Sequence, residues 1–257
     1  MSRPLNWYFS KTYLWGRSLA NLKSNDLLLA AYPKTGSTWV RYFLYSLLLQ
    51  NKSEDIKPTI DSMNYSMPEF AHPSFFLEWS FKECPRIVKT HQKCYKFFKG
   101  KKTALIIRDP RDVFVSYFHH INGLKTTKFD CTIKDILRDP KIGLKAFFHH
   151  YLSWVSYADL ILRYEDLRKK PLEGFSQLAE YYGIMRSEKE VQDAVNISSF
   201  LNMRTVQQDS FQLKNEFKDG HQFMRSGQKA QWKKIFSEDD TIYYESVKEK
   251  YHFNLYS

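Results

Sequence analysis

One stretch constrains the fold of this chain more than any other: an apolar run, a short polar turn and a second apolar run. The first run extends from Leu27 to Tyr32 and ends at Pro33; residues 34–38 read Lys-Thr-Gly-Ser-Thr, and apolar residues resume at Trp39. A buried strand followed by such a turn and a helix directs several backbone N–H groups and the positive helix end at one point. The stretch therefore predicts a strand–turn–helix unit that holds a phosphate-sized anion.

The residues of the turn suit an anion in different ways. Gly36 permits a tight turn, Lys34 adds a mobile positive charge, and Ser37 and Thr38 can cap the helix and donate hydroxyl groups. The lysine precedes the glycine and the first glycine of the pattern is missing, so the turn departs from the GxxxxGK[ST] pattern of nucleoside-triphosphate sites. The alternative is an ordinary capped turn with an exposed lysine. Trp39 follows the turn directly and is either a core residue or stacks on a nucleotide base held by the same turn.

Strand and helix patterns alternate along the rest of the chain. Three further apolar runs are typical of buried parallel strands: Arg86–Lys89, Thr103–Ile107 and Asp159–Arg163. Helical patterns follow three of the four runs, at Thr38–Gln50, Arg111–His119 and Pro171–Tyr182. This alternation predicts an α/β fold of three layers, α/β/α, with a central parallel sheet, and ligands at the carboxyl ends of its strands.

Length and composition favour one globular domain. The chain has 257 residues, of which 43% are hydrophobic, and no repeat or linker divides it, so we predict a single domain over residues 1–257. Residues 55–82 differ, because they carry several prolines and many aromatic side chains; we predict an irregular lid there.

Charge and cysteine content narrow the function classes. The net charge of +11 favours anionic partners without choosing among polyanions, small anions and membrane surfaces. Three cysteines without CxxC spacing argue against disulfides and a zinc site. The chain shows neither a signal-peptide pattern nor 18 successive apolar residues, so we expect a cytoplasmic protein with no membrane partner.

Two further positions suit anions. Arg108 follows the strand-like run ALII, and Ser116 lies in the second turn of the helix predicted after it. Arg225, Ser226 and Gly227 form a second short segment, in which an arginine adjoins a glycine in a loop. The alternatives are an ion pair of Arg108 with a nearby aspartate and a solvated turn at 225–227.

Six segments together resemble one family, the PAPS-dependent cytosolic sulfotransferases. YPKTGSTWV resembles the family's YPKSGTTW loop, RDPRDVFVS its RNxKDxxVS signature, VKTH its catalytic strand end and RSGQKAQWK its RKGxxGDWK segment; YEDL and SSFLNM also match. In the order of the chain they are residues 32–40, 88–91, 108–116, 164–167, 198–203 and 225–233. The order agrees with that of the family, which implies the P-loop NTPase-like sulfotransferase fold and the donor 3′-phosphoadenosine-5′-phosphosulfate, PAPS.

The resemblance also implies roles for individual residues. The 5′-phosphosulfate would be bound by Lys34, Thr35, Gly36, Ser37 and Thr38. The 3′-phosphate would be bound by Arg108, Ser116, Arg225, Ser226 and Gly227. The adenine would be surrounded by Trp39, Tyr164, Ser198 and Phe200. His91 would be the general base, Lys34 the main charge stabiliser, and Lys89 a second lysine near the transferred group.

These residue types fit sulfuryl transfer. Charge grows on the bridging oxygen as its bond to sulfur breaks, and a lysine and helix-end N–H groups stabilise it. A histidine titrates near neutral pH and can take the proton of the acceptor. The reaction requires no metal, and the adjacent histidine pairs at 119–120 and 149–150 are poor ligand sets because neighbours point to different helix faces.

The chain departs from the family at two points. Ser226 and Ala230 replace the lysine and the second glycine of RKGxxG, and from Lys233 onward the dimer motif KxxxTVxxxE is missing. We therefore expect a monomer, or a homodimer that does not use that motif. The short chain is more similar to bacterial natural-product tailoring enzymes than to hormone or phenol sulfotransferases.

The acceptor is expected beside His91, beneath the predicted lid. Candidate lining residues are the aromatic side chains Tyr65, Phe70, Phe75, Phe76, Trp79 and Phe118, with less support for His119, His120, Phe147, Phe148 and His149. Aromatic lining suits a flat or polycyclic molecule. Glu69 and Glu78 would add negative charge and favour a cationic acceptor such as a guanidinium alkaloid, whereas an uncharged phenol or alcohol stays open.

Two other classes of protein compete with a sulfotransferase acting on a small molecule. A phosphoryl transferase with an atypical P-loop would need a Mg²⁺-binding carboxylate, for which Asp109, Glu165 and Asp166 are the candidates. A nucleic-acid-binding protein would use the net charge of +11 and the 17% of aromatic residues. The basic residues are dispersed along the chain and form no recognised nucleic-acid motif, so we expect no nucleic-acid partner.

Overall fold

The computed structural model describes residues 5–50, 56–128, 130–225 and 227–256, with residues 5–9 described as helical backbone only. The strands are β1 Leu27–Ala31, β2 Ile87–Thr90, β3 Thr103–Ile107 and β4 Leu160–Arg163. The longer helices are α1 Leu5–Ala20, α2 Ser37–Leu49, α4 Pro110–Gly123, α6 Leu144–Val155, α8 Pro171–Tyr182, α9 Glu188–Ile197 and α12 Glu238–Lys250. The shorter helices are α3 Ile60–Ser66, α5 Ile133–Arg138, α7 Tyr164–Lys169, α10 Phe200–Val206 and α11 Phe211–Glu216, and 3₁₀ turns cover Pro73–Phe76, Lys96–Phe98, Gln207–Asp209 and Gln231–Lys234.

The four strands form one parallel sheet in the order β2-β1-β3-β4. All residues of β1, β2 and β3 are buried, which explains the apolar runs of β1 and β3. The last two residues of β2, Lys89 and Thr90, are buried although they are polar. In the edge strand β4 only alternate residues are buried, and Ile161 is 39% exposed. The predicted parallel sheet is confirmed, with strand ends within one residue of the predicted bounds.

Helices cover both faces of the sheet, as the three-layer prediction requires. Successive side chains of β1 point to opposite faces: Leu27 and Leu29 join the core packed on α2, α8 and α9, whereas Leu28 and Ala30 join a second core that includes Trp154 of α6. A third apolar cluster lies between α4, α5, α6 and α12. The polar carboxyl ends of all four strands are thereby left at one edge.

The segment predicted as an irregular lid differs from that prediction where the structure describes it, over residues 56–82. It contains α3 and a 3₁₀ turn, and its middle pairs with the edge strand β2: the N–H of Lys89 donates to the carbonyl of Pro68 (2.9 Å), and the N–H of Phe70 donates to the carbonyl of Lys89 (2.8 Å). This pairing turns Phe70 into the core, where it is 3% exposed. Asp55 lies outside the described residues.

The described helices were compared with the length and apolar character of membrane-spanning segments. Over the described ranges, no helix combines the length and the apolar character that crossing a bilayer requires.

Candidate active site

The ends of all four strands meet at one cavity of about 650 Å³. Lys34 follows β1, His91 follows β2, Arg108 follows β3 and Tyr164 follows β4, and each of these side chains lines the cavity. The parallel order of the strands brings together four residues that are up to 130 positions apart. The cavity is therefore a direct product of the sheet topology.

The turn between β1 and α2 adopts left-handed backbone conformations at Lys34 (φ 72°) and at Gly36 (φ 105°). A Cβ atom at position 36 would lie 2.7 Å from Cδ2 of Tyr164, so only glycine leaves room for the ring at this distance from the turn. Thr35 is fully buried and its hydroxyl donates to the carbonyl of Tyr32 at 2.8 Å. Thr35 therefore stabilises the turn from behind, while Ser37 and Thr38 line the cavity.

Lys34 extends into a largely aromatic environment. Its Nζ lies 3.2 Å from Nδ1 of His120 and 4.3 Å from the ring centre of Phe223. Burial, together with the positive charges of Arg108 and Lys89, lowers the pKa of Lys34 to about 7. Keeping Lys34 in its ammonium form therefore costs free energy in the free protein, and a bound anion would reduce that cost.

Arg108 and Arg225 concentrate further positive charge near the turn. Nη1 of Arg108 donates to the carbonyl of Lys34 at 3.2 Å, and its guanidinium lies 4.4 Å from the ring centre of Tyr164. Burial, and then the charge of Arg108, lower the pKa of Arg225. Within the described residues Nε of Arg108 has no hydrogen-bond partner. Two arginines that repel each other at a cavity wall are an arrangement suited to a polyanion.

His91 presents one ring nitrogen to the cavity as an acceptor. Its Nδ1 lies 2.6 Å from the carbonyl oxygen of Ala31, so Nδ1 carries the proton and Nε2 has a free lone pair. Burial and then Lys89 lower the pKa of His91 to about 4. The imidazole is therefore neutral at pH 7 and can accept a proton.

Aromatic side chains form another wall of the cavity. Trp39 and Tyr164 pack edge to face with ring centres 5.7 Å apart. Phe200 lies against Gly227, whose backbone is left-handed (φ 60°) and where an added Cβ atom would lie 3.0 Å from that ring. Nε1 of Trp39 is buried and has no partner among the residues described. This wall suits a planar group that also accepts a hydrogen bond.

Most residues that the sequence predicted for donor binding and catalysis share this cavity. They are Lys34, Gly36, Ser37, Thr38, Trp39, Lys89, His91, Arg108, Ser116, Tyr164, Phe200, Arg225 and Gly227. Thr35 and Ser198 do not line it: Ser198 is fully buried and its hydroxyl donates to the carbonyl of Val195 at 3.2 Å. Ser226 lies outside the described residues.

The six aromatic side chains expected around the acceptor are elsewhere. Tyr65, Phe70, Phe75, Phe76, Trp79 and Phe118 are absent from the cavity lining. Phe70 and Phe75 belong to the core beneath the sheet, Trp79 donates its indole N–H to the carbonyl of Cys84 (3.0 Å), and Tyr65 is 68% exposed. The prediction was therefore wrong for these rings. Pairing of residues 68–70 with the sheet edge turns Phe70 into the core, and Phe118 packs against the separate cluster around α4.

Of the five further acceptor-site candidates from α4 and α6, one lines the cavity and the others do not. His120 lines the cavity beside Lys34, whereas Phe147 and Phe148 are buried in the cluster around α6. His149 bonds to the hydroxyl of Tyr251 at 2.9 Å, and His119 is not part of the cavity lining. Glu69 lines the cavity, but Glu78 lies outside it.

Part of the cavity wall is a polar lining, which we define as Arg41, Asn64, Glu69, Gln212 and Glu216, and of these residues the sequence predicted only Glu69. Nη1 of Arg41 donates to Oδ1 of Asn64 (3.1 Å), and Nδ2 of Asn64 donates to Oε1 of Gln212 (2.8 Å). Arg41 lies one helical turn after Ser37, a spacing that could have revealed it. Gln212 and Glu216 come from a distant helix, and only the tertiary structure brings them here.

None of the three carboxylates named for a magnesium-dependent enzyme lines the cavity, and two of them are engaged in other contacts. Oε1 of Glu165 accepts from the N–H of Asp109 (3.0 Å), and Oε2 accepts from the hydroxyl of Tyr256 (2.8 Å). Asp109 is paired with Arg111 at 2.8 Å. In the described part of the chain, no three His, Cys, Asp or Glu side chains are arranged to hold a metal ion.

The protein has an α/β fold whose strand–turn–helix unit faces a cationic, partly aromatic cavity. This combination is typical of the P-loop-like transferases. Residues 24–252 match the family described as the sulfotransferase domain. The chain belongs to this family and is a sulfotransferase, as its sequence motifs predicted.

Individual relatives are more distant. The chain is 26% identical over 233 residues to sulfotransferase 6B1 of Mus musculus, covering 84% of this chain and 72% of the relative. It is 27% identical over 246 residues to sulfotransferase 6B1 of Danio rerio, covering 91% and 79%. The crystal structure of retinol dehydratase with retinol and PAP superimposes with a TM-score of 0.74 at 19% identity, covering 97% of this chain and 86% of that chain, a likeness of fold.

Proposed function

We propose that the protein transfers the sulfuryl group of PAPS to a hydroxyl group, or to an amine or amide nitrogen, of a small-molecule acceptor. The observation that carries this proposal is the convergence of Lys34, His91, Arg108 and Tyr164 at the ends of four parallel strands around one cavity. An anion site, a neutral histidine and an aromatic wall are the three parts that such a transfer needs.

Donor binding would divide the cavity between two phosphate positions and the adenine. The turn residues Lys34 and Gly36–Thr38 would bind the 5′-phosphosulfate at the amino end of α2, and Arg108, Ser116, Arg225 and Gly227 would bind the 3′-phosphate. Trp39, Tyr164 and Phe200 would enclose the adenine. Two buried donors support this fit: Nε of Arg108 and Nε1 of Trp39. Neither has a hydrogen-bond partner in the described chain, and a bound polyanionic nucleotide would lie close to both.

The chemistry of transfer would rest on His91 and Lys34. The donor supplies the sulfuryl group, and its phosphate is the leaving group. Nε2 of His91 would take the proton of the acceptor, since Nδ1 already donates to Ala31. Lys34 would stabilise charge on the leaving phosphate, and Lys89 would add a second positive charge near the transferred group. The attacking atom and the leaving oxygen would lie in line through sulfur.

The polar lining bears on the identity of the acceptor. It offers amide, carboxylate and guanidinium groups in place of the aromatic walls expected from the sequence, which favours an acceptor with hydrogen-bonding groups of its own. A cationic alkaloid is one such molecule, supported by Glu216 at the cavity, although Glu69 is already paired with Lys89. Replacing Glu216 by Gln should weaken a preference for cationic over neutral acceptors; unchanged selectivity would count against a cation.

Calorimetric titration with 3′-phosphoadenosine-5′-phosphate, PAP, tests the donor site without knowledge of the acceptor. We expect micromolar binding of PAP in the absence of metal, much weaker binding of ATP, and loss of PAP binding in Arg108→Ala. His91→Ala should bind PAP normally and fail in transfer. Preference for ATP with Mg²⁺ would instead favour the phosphoryl-transfer alternative.

A further inference from the structure

The carboxylate of Glu69 lies between the two basic side chains at the end of β2. Its Oε2 is 2.8 Å from Nζ of Lys89, and its Oε1 is 4.0 Å from Nε2 of His91. Glu69 and Lys89 form a parallel β-bridge, so the carboxylate is held against the strand end by backbone hydrogen bonds. The atom that would receive the acceptor's proton therefore faces a carboxylate fixed by the fold.

The charged groups around His91 are otherwise cationic. Lys89 and Arg41 both act on the ring, and Glu69 is the one carboxylate among the described groups that act on it. The neighbouring His150 adds no charge at neutral pH, because burial lowers its pKa to about 3. Burial alone would raise the pKa of Glu69, but Lys89, His91 and Arg41 hold it well below its usual range. Glu69 is therefore ionised whenever His91 works as a base.

We propose that Glu69 and His91 form a carboxylate–imidazole pair in which Glu69 stabilises the imidazolium that His91 becomes when it takes the acceptor's proton. This role rests on the proposed function. As the acceptor oxygen or nitrogen bonds to sulfur, the bond from sulfur to the bridging oxygen breaks, its electron pair stays on the phosphate, and the acceptor's proton moves to Nε2. Without Glu69, the new positive charge would face Lys89 and Arg41 alone. Glu69 acts through His91 and is a positioning residue.

The protonation equilibrium of His91 tests the pair without an acceptor. The titration is followed by NMR of ¹³C-labelled histidines, with His91 assigned by the signal lost in His91→Asn. The comparison is made in a Lys89→Met background, where removal of the nearby cation moves the titration toward neutral pH and away from acid unfolding. Adding Glu69→Gln should weaken protonation of His91 by at least about tenfold, the size expected of a carboxylate ~4 Å away.

Glu216→Gln is the matched control, because Glu216 also lines the cavity but acts on Lys34. In the same background it should leave the titration of His91 unchanged. The proposal would be overturned if His91 titrated equally with and without Glu69. It would also be overturned if Glu69→Gln and Glu216→Gln shifted the titration of His91 equally, because that would indicate a general effect of cavity charge.

Kinetics give a second readout, with whichever acceptor of a panel of phenols, alcohols and amines the wild-type protein sulfates. Glu69→Gln should keep the KM for PAPS, lower kcat, and move the acid limb of the pH profile to lower pH, because His91 must be neutral to act. A lower plateau with an unmoved limb would indicate a structural role and contradict the proposal. Failure of the wild-type protein to bind PAP would contradict the proposed function, whereas the histidine titration would still decide the pair.

Discussion

Nζ of Lys34 and Nδ1 of His120 lie 3.2 Å apart, although 86 residues separate them in the chain. Burial and the charge of Lys34 lower the pKa of His120 to about 3, so its ring is neutral and Nδ1 accepts the hydrogen bond of the amine. The contact joins the turn between β1 and α2 to α4. It gives the lysine that would stabilise the leaving phosphate a defined resting position.

We expect His120→Phe to lower kcat/KM for PAPS about tenfold, the equivalent of ~1.4 kcal/mol for a hydrogen bond to a charged group. The phenyl ring keeps the packing against Phe217 and Phe223 but cannot accept from Lys34. His149→Phe is the control, because His149 bonds to Tyr251 away from the cavity. Equal kcat/KM in the two variants would show that His120 does not position Lys34.

Donor affinity should depend on the protonation of Lys34. Its pKa is lowered to about 7 in the free protein, so the ammonium form is complete below that pH and is lost as pH rises through it. Binding of an anion raises this pKa again. PAP affinity should therefore fall between about pH 7 and about pH 9, and calorimetry in buffers of different ionisation enthalpy should detect proton uptake. Lys34→Met should remove both effects, leaving the titration of the ligand itself.

Gly36→Ala should destabilise the protein by about 1–3 kcal/mol and weaken PAP binding. The added methyl group would lie 2.7 Å from the ring of Tyr164 in a left-handed backbone conformation. Gly100→Ala separates the two causes, because Gly100 shares the left-handed conformation (φ 79°) but has no atom within 4 Å of the added carbon. Denaturant unfolding of both variants measures the difference; equal losses would mean that backbone strain alone is responsible.

Phe75→Ala should cost about 3–5 kcal/mol of unfolding free energy without changing acceptor selectivity. Its ring is 1% exposed, packs on Phe70 and Phe76, and does not line the cavity. Tyr65→Ala, at a 68% exposed position, should change the unfolding free energy by no more than about 0.5 kcal/mol. A change of acceptor profile in Phe75→Ala at unchanged stability would restore this ring to the acceptor site.

The local parts of this protein follow from its sequence. The apolar runs of β1 and β3 and the turn at Lys34 and Gly36 are readable because burial on both faces of a parallel strand, and a glycine at a strand–helix turn, leave short-range patterns. The ordered motifs identified the family, and most of the residues that they predicted for the donor line the cavity. For Lys34, His91, Arg108 and Tyr164 the reason is local, because they follow parallel strands that end at one edge.

Tertiary structure decided which side chains surround Lys34 and His91 in the cavity. The backbone pairing of residues 68–70 with Lys89 sends Phe70 inward and leaves Glu69 at the cavity, an outcome that depends on a partner strand and not on aromatic content. His120, Gln212 and Glu216 reach the site from separate helices through contacts with no local signature. A sequence pattern reports the burial of its own element, whereas a cavity wall depends on how distant elements pack, and the polar lining of this cavity is such a wall.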